Sequence, residues 1–260
     1  MASETSKISG SPSQGHVSSG LNPVAVNSVT YLGTIVVYLL AFFLREFPKP
    51  VPFPAAGCLV PSDGDFGEWT PAGYVLMALW CFHFMRRFVE VLFVHEYKRK
   101  MSYVESVGAP VYYWLFGFWT GLSLRPDLGY VNTYLSMFVI GCLMFFVGEV
   151  GNGVSHLQLR SLRSNKNTHL LYQTKSQHVV PNGLMFELVS CPHYFFEIVS
   201  WLGFSLATWA LSVVVFLAAT VLTLCIYGHK KHQAYRTEFD GREGRELYPP
   251  NRKALIPFVF

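Results

Sequence analysis

Three apolar stretches of this chain carry ionisable side chains at helical spacing. His83, Arg86, Arg87 and Glu90 lie in one; Glu149, Asn152 and His156, leading on to Arg160 and Arg163, in a second; Glu187, His193, Tyr194 and Glu197 in a third. An ionisable group at membrane depth is costly, and it marks either a functional site or a buried pair. In the simpler case Arg86 or Arg87 pairs with Glu90 at i,i+3 or i,i+4 spacing and only holds helices together. Three stretches that all place Arg, His, Glu or Asn near one end instead favour a shared polar cavity. Guanidinium groups grip phosphate oxygens in pairs, so Arg87, Arg160 and Arg163, with the Lys-rich tail, suit an anionic, phosphate-bearing ligand. The tail charges would equally serve attraction to anionic lipid heads. Metal chemistry is not expected: His229 and His232 form a single HxxH pair, and two ligands are too few.

These residues need helices to position them, and the composition says which kind. Of the 260 residues 51% are hydrophobic and only 14% charged, well below the quarter usual in soluble domains, which points to a membrane protein. A span takes about 20 apolar residues. The chain offers stretches at 27–45, 72–94, 106–124, 130–151, 184–208 and 211–228. The expected fold is therefore all-α, a polytopic membrane helical bundle of about six transmembrane helices, with seven allowed. The last two stretches form one apolar run about twice the bilayer in length, so the chain must turn near Trp209–Ser212. Residues 1–26, rich in Ser, Gly and Pro, read as a disordered polar tail without the order of a signal peptide. Residues 46–71 read as a loop outside the membrane.

With six spans, fifteen Lys and Arg fall on one face and three on the other, Arg86 and Arg87 lying within a span. The positive face is the cytosolic one, so both termini should be cytosolic. The formal charge of +4 is not arranged as a basic stripe, so nucleic acid is not an expected partner. Five scattered Cys with no CxxC pair read as reduced packing residues.

The segments VPNGLMFELVSCPHYFFEIVSWLGF (180–204), HKKHQAYRTEF (229–239) and YPPNRKALIPFVF (248–260) resemble the C-terminal domain of the steroid 5-alpha-reductase family. FHFMRRFVEVLFVHEY, YYWLFGFW and GNGVSHLQLRSLR are most similar to its very-long-chain trans-2-enoyl-CoA reductase branch. The resemblance covers about 30–260, with the family's C-terminal domain at about 106–260 inside a membrane reductase domain at 27–260. It implies an endoplasmic reticulum enzyme that uses NADPH to reduce the C=C bond of an α,β-unsaturated acyl thioester. Its partners would be a lipid substrate, the membrane and fatty acid elongase components. Tyr194 matches the branch's catalytic tyrosine, a phenol able to donate a hydrogen bond and a proton. Arg87, Asn152, Arg163, Glu197, His232 and Tyr235 match cofactor-binding positions. The family does not use a Rossmann domain, so the lack of GxGxxG is no objection.

Three departures bear on substrate. The steroid branch has Tyr where this chain has Phe84, Asn where it has His193, and a basic residue where it has Val179. The enoyl reductases also carry a ubiquitin-like N-terminal domain, against the short tail here. The alternatives are a 3-oxo-5-alpha-steroid 4-dehydrogenase, a SAM-dependent membrane methyltransferase in which Tyr235 and Glu238 would serve, and a lipid-binding protein without catalysis.

Overall fold

The computed structural model describes residues 20–44, 71–97, 99–124, 134–164, 180–242 and 245–260. Residues 1–19 of the expected tail and 46–70 of the expected loop lie outside them, while residues 23–26 of that tail already belong to the first helix and Pro71 opens the second. The described chain is helical: α1 (Pro23–Leu44), α2 (Pro71–Phe93), α3 (Tyr103–Ser123), α4 (Leu135–Ser164), a 3₁₀ turn (Leu184–Glu187), α5 (Pro192–Thr208) and α6 (Leu211–Glu238). Strand pairing among the described residues is confined to isolated bridges, which tie Leu21 to Met101, Val189 to Lys253 and Asp240 to Leu247.

Local signals set the helix starts. Pro71 and Pro192 open α2 and α5, where a missing N–H costs nothing. Asn22 caps α1 by accepting from the Val24 N–H at 2.9 Å. Ser102 and Glu105 form a reciprocal capping box on α3. Arg99 clamps the Glu105 carboxylate at 2.6 and 2.8 Å, and these bonds, with the Ser102 N–H, bring its pKa down to about 2.

α1, α4 and α6 contain segments long and apolar enough to cross a membrane unaided. α2 and α3, of 23 and 21 residues, have the length but are diluted by polar groups, and α5 has only 17 residues. The bundle is apolar outside: Val36, Leu40 and Phe43 of α1, Leu143, Val147 and Val150 of α4 and Leu222 and Ile226 of α6 face outward. Glu149, Asn152, His83 and Glu90 are buried. This is the arrangement of a chain that meets lipid rather than water.

Most helix ends shift by a few residues, and three boundaries differ from the sequence expectation by eight residues or more. α5 starts at Pro192, not 184, because Gly183 (φ 84°) and Pro192 interrupt an apolar stretch that hydropathy alone cannot divide. α4 runs to Ser164, since nothing after residue 151 breaks a helix. α6 continues ten residues past 228, to Glu238. The turn between α5 and α6 is only Trp209 and Ala210, with Trp209 left-handed at φ 49°.

Two close seams and one aromatic core hold the helices. A Cβ on Gly203 of α5 would lie 2.5 Å from Phe145 N and 2.6 Å from Gly141 O of α4, and one on Gly121 of α3 would lie 2.6 Å from Tyr38 O of α1. Hydrocarbon gives apolar helices no reason to associate, so close backbone approach supplies dispersion contacts instead. Trp80 of α2 joins the two pairs, its ring 5.0 Å from Tyr38, 5.4 Å from Trp201 and 5.9 Å from Phe216. Phe84 is fully buried in this core. Cys81, Cys142, Cys191 and Cys225 are free thiols.

Gly203→Leu has no room on the α4 side, and overpacking of this kind costs about 1–3 kcal/mol or more. Thermal unfolding in detergent should show a clear loss of stability against the lipid-facing control Val147→Leu; equal melting of the two would refute the seam.

Candidate active site

The i, i+3, i+4, i+7 spacing of His83, Arg86, Arg87 and Glu90 puts all four on one face of α2. Glu149, Asn152 and His156 line the facing side of α4, and Glu197 stands one turn above His193 on α5. His83 places Nδ1 2.7 Å from Glu149 Oε1 and Nε2 3.3 Å from Glu197 Oε1. Arg86 donates through Nε to Glu149 Oε2 at 2.6 Å, and through Nη1 to Glu90 and, at 2.8 Å, to Asn152 Oδ1. The amide of Asn152 donates to the His193 carbonyl at 2.7 Å and to Glu197 Oε2 at 3.0 Å. Trp201 Nε1 adds a bond to Glu197 at 3.3 Å.

Arg87 donates to Glu90 Oε2 at 2.8 Å and lies over the Tyr31 ring of α1, 5.7 Å from its centre. Glu90, His95 and His156 bring their ligand atoms within 4.8 Å of one another, as a metal site would. That position already holds a cation: Arg87 Nη1 is also 3.4 Å from His156 Nδ1. The three polar stretches therefore converge through His83, Arg86, Arg87, Glu90, Glu149, Asn152, His156, His193 and Glu197, and both arginines pair with Glu90 at i,i+3 and i,i+4; Glu187 instead lies 3.7 Å from Arg252 of the tail, and Arg160 is exposed. They converge largely on one another. Arg86 Nη2 and His193 Nδ1 are the buried atoms of this group left without a partner among the described residues.

Tyr194 sits in the first turn of α5, where Pro192 and the Asn152 bond to the His193 carbonyl fix the backbone. Its ring lies 4.2 Å from the His193 ring and packs with Cys191, Ala254 and Leu255. No hydrogen bond from its phenol to another described residue is present, which leaves the hydroxyl available.

His232 and Tyr235 belong to a second group, on the part of α6 that outruns the span. His232 Nδ1 is 2.6 Å from Ser190 Oγ, which is 2.7 Å from the Tyr248 hydroxyl. Tyr235 stacks on Tyr248 with ring centres 5.8 Å apart. These contacts fasten the 248–260 segment to α6, and Ser190 and Cys191 pair with Lys253 and Ala254 through their backbones. Arg163 lies on the last turn of α4, and its side chain is outside the described residues.

Of the site positions expected from sequence, Arg87, Asn152 and Glu197 thus share the buried network, Tyr194 stands at its edge, and His232 and Tyr235 build the tail platform. Sequence reasoning did not single out Ser190, Tyr248 or Arg252. Ser190 and Tyr248 are 58 positions apart and carry no hydropathy signal; only the chain path joins them.

Glu149→Ala would strand His83 Nδ1 and Arg86 Nε together. Removing one partner from a buried ionic group costs about 3–5 kcal/mol, so the variant should melt well below the wild-type chain in detergent. A melting curve identical to wild type would show that water already reaches these groups.

The likeness to known proteins runs through the same elements. Residues 99–260, α3 through the tail platform, match the family described as 3-oxo-5-alpha-steroid 4-dehydrogenase. The chain is 30% identical over 88% of its length to the very-long-chain enoyl-CoA reductase of Dictyostelium discoideum, covering 67% of that protein. It is 31% identical over 73% of its length to a probable very-long-chain enoyl-CoA reductase of Caenorhabditis elegans, spanning 59% of it. It is 30% identical over 84% of its length to 3-oxo-5-alpha-steroid 4-dehydrogenase 1 of Mus musculus, covering 80% of that protein. Since the matched residues make up more than half of the chain and include α5, α6 and the platform they carry, this membrane helical bundle belongs to the steroid 5-alpha-reductase family.

Proposed function

We propose that the chain is an NADPH-dependent oxidoreductase that reduces the C=C bond of a trans-2-enoyl-CoA, as in very-long-chain fatty acid elongation. The observation that carries this is the position of Tyr194: a phenol with an available hydroxyl, on a rigid helix start, beside buried polar groups with unused capacity. The enoyl-CoA reductases among its relatives support the substrate class, and Phe84, buried among aromatic rings, supplies no hydroxyl for a steroid ketone.

The residues present fit a nicotinamide cofactor. Arg86 Nη2 and His193 Nδ1 are buried without partners among the described residues, and the carboxamide and ribose of such a cofactor are rich in complementary groups. Arg87, Asn152, Arg163, Glu197, His232 and Tyr235 would hold it, arginines on phosphates and Asn152 and Glu197 on the amide or ribose. When bound, NADPH supplies the hydride that reaches the β carbon. The phenol of Tyr194 donates a hydrogen bond to the thioester carbonyl, stabilising the enolate-like charge that forms there. The proton on Tyr194 Oη then passes to the α carbon, and the phenolate regains one from solvent. Glu197, held by His83, Asn152 and Trp201, positions the α5 face on which Tyr194 stands.

The charge asymmetry of the loops supports both termini in the cytosol, and the overhanging ends of α4 and α6 then meet soluble NADPH there. An endoplasmic reticulum membrane and elongase components as partners accord with this substrate. Reduction of a 3-oxo-4-ene steroid is the second reading, because steroid 4-dehydrogenases also match.

The deciding measurement is NADPH consumption by membranes containing the chain, with a long-chain trans-2-enoyl-CoA and a 3-oxo-4-ene steroid in parallel. Preferential turnover of the enoyl-CoA is expected; turnover of the steroid alone would reverse the assignment. Tyr194→Phe should abolish turnover while NADPH binding is retained, and full activity would remove Tyr194 from the mechanism. Arg163→Ala should weaken NADPH binding by about 1.5–3 kcal/mol, the range for a hydrogen bond to a charged group. An unchanged affinity, read by NADPH fluorescence, would return Arg163 to ordinary loop charge.

A further inference from the structure

Beyond Gly228 the exposed part of α6 presents two faces. Gly228 looks toward Tyr194 and Leu255, since a Cβ there would lie 3.7 Å from Tyr194 Cδ2 and from Leu255 Cβ. At 3.6 residues per turn, His229, His232, Gln233 and Arg236 stand about a quarter turn away from that line. Opposite them, Arg252 and Lys253 complete the wall of a cleft of about 320 Å³. That wall is rigid: Lys253 donates to Leu188 O at 3.0 Å and accepts from Ser190 N at 2.8 Å.

The cleft collects positive charge, and among the described residues no Asp or Glu side chain lines it. Arg252 is 4% exposed. It donates through Nη1 to Pro181 O at 2.7 Å and lies over the Tyr248 ring at 5.0 Å. The Glu187 carboxylate is 3.7 Å from its Nη2, and its Nε is buried with no partner among the described residues. His232 feels the same field: burial first, then Arg236, His229 and Arg252, hold its pKa below the usual histidine range. Arg252 is the buried charge of this wall, while Arg236 is exposed and Lys253 half-buried; a buried guanidinium with an unmatched N–H, flanked by two further cations, favours an anion at this place. The lip of the cleft is apolar, with Val259 75% and neighbouring Phe258 80% exposed, at the level where α6 leaves the lipid.

We propose that this cleft binds the phosphate group of an amphiphile whose apolar part stays in the lipid phase. Two molecules carry that chemistry: an anionic phospholipid through its headgroup, and an acyl-CoA through its phosphorylated ADP portion. The second source rests on the substrate reading above; the first does not.

Native mass spectrometry of the purified full chain tests it by binding, without turnover, so failure of the reductase assignment leaves the result intact. Phosphatidic acid should be retained at least tenfold more strongly than phosphatidylcholine. That preference should be lost in the double variant Arg236→Gln, Lys253→Gln, and in Gln233→Glu, which sets a negative charge at an exposed lining position where folding is not at risk. CoA is then added as competitor. Displacement by CoA, with 3′-dephospho-CoA at least tenfold weaker, identifies the nucleotide as occupant; retention of phosphatidic acid against CoA identifies the lipid headgroup. Equal binding of both lipids, or an undiminished preference in Gln233→Glu, overturns the proposal.

Discussion

Three carboxylates, two guanidiniums and several imidazoles lie in the interior of a bundle whose outer surface is apolar, and that fact constrains everything else. A charge in such surroundings is tolerable only with a partner at hydrogen-bond distance. Glu149 takes bonds from two α2 side chains, and Glu197 takes bonds from α2, α4 and α5. A rotation or slide of any of these helices would leave at least one of them unpaired. The glycine seams and the Trp80 core supply attraction, but attraction between apolar helices is tolerant of sliding. Register comes from the ionic groups.

Tyr194 stands where this buried network meets a second structure of quite different character. Below it, Asn152 ties the His193 carbonyl to Arg86 and Glu197. Beside it, the 248–260 segment docks on α6 through aromatic stacking and the Ser190, His232 and Tyr248 hydroxyl and imidazole contacts. The two parts differ in solvent, one in hydrocarbon and one at the aqueous face. In the proposed reduction, an apolar chain would approach this junction from one side and a soluble cofactor from the other.

Much of this is written in the sequence in plain terms. Low charge and long apolar runs give the bundle, and the offsets of 3, 4 and 7 within HFMRRFVE and GEVGNGVSH put the polar groups on single helix faces. The Arg86, Arg87 and Glu90 pairing is local, and so it is legible. What is not legible is where an apolar segment stops being a helix. VPNGLMFELVSC is as apolar as the α5 residues after it, yet Gly183 and Pro192 turn it into a 3₁₀ turn and an extended link. The bonds that matter most for the site, His83 to Glu149 and Asn152 to Glu197, join residues 66 and 45 positions apart; periodicity gives their faces, not their partners. Arg252 has no signature at all until the tail is seen folded against α6.

The two-residue turn at Trp209 and Ala210 also has a metric meaning. It leaves α5 and α6 no slack, so both are measured from the same point on the far side of the membrane. From Leu211 to His232 a helix rises about 32 Å, close to the roughly 30 Å of a hydrocarbon core. α6 therefore works as a ruler with its zero at the turn. The height of the basic cleft and of the tail platform is set by counting residues from there, and a bilayer of different thickness must adjust to the protein by tilt or local thinning.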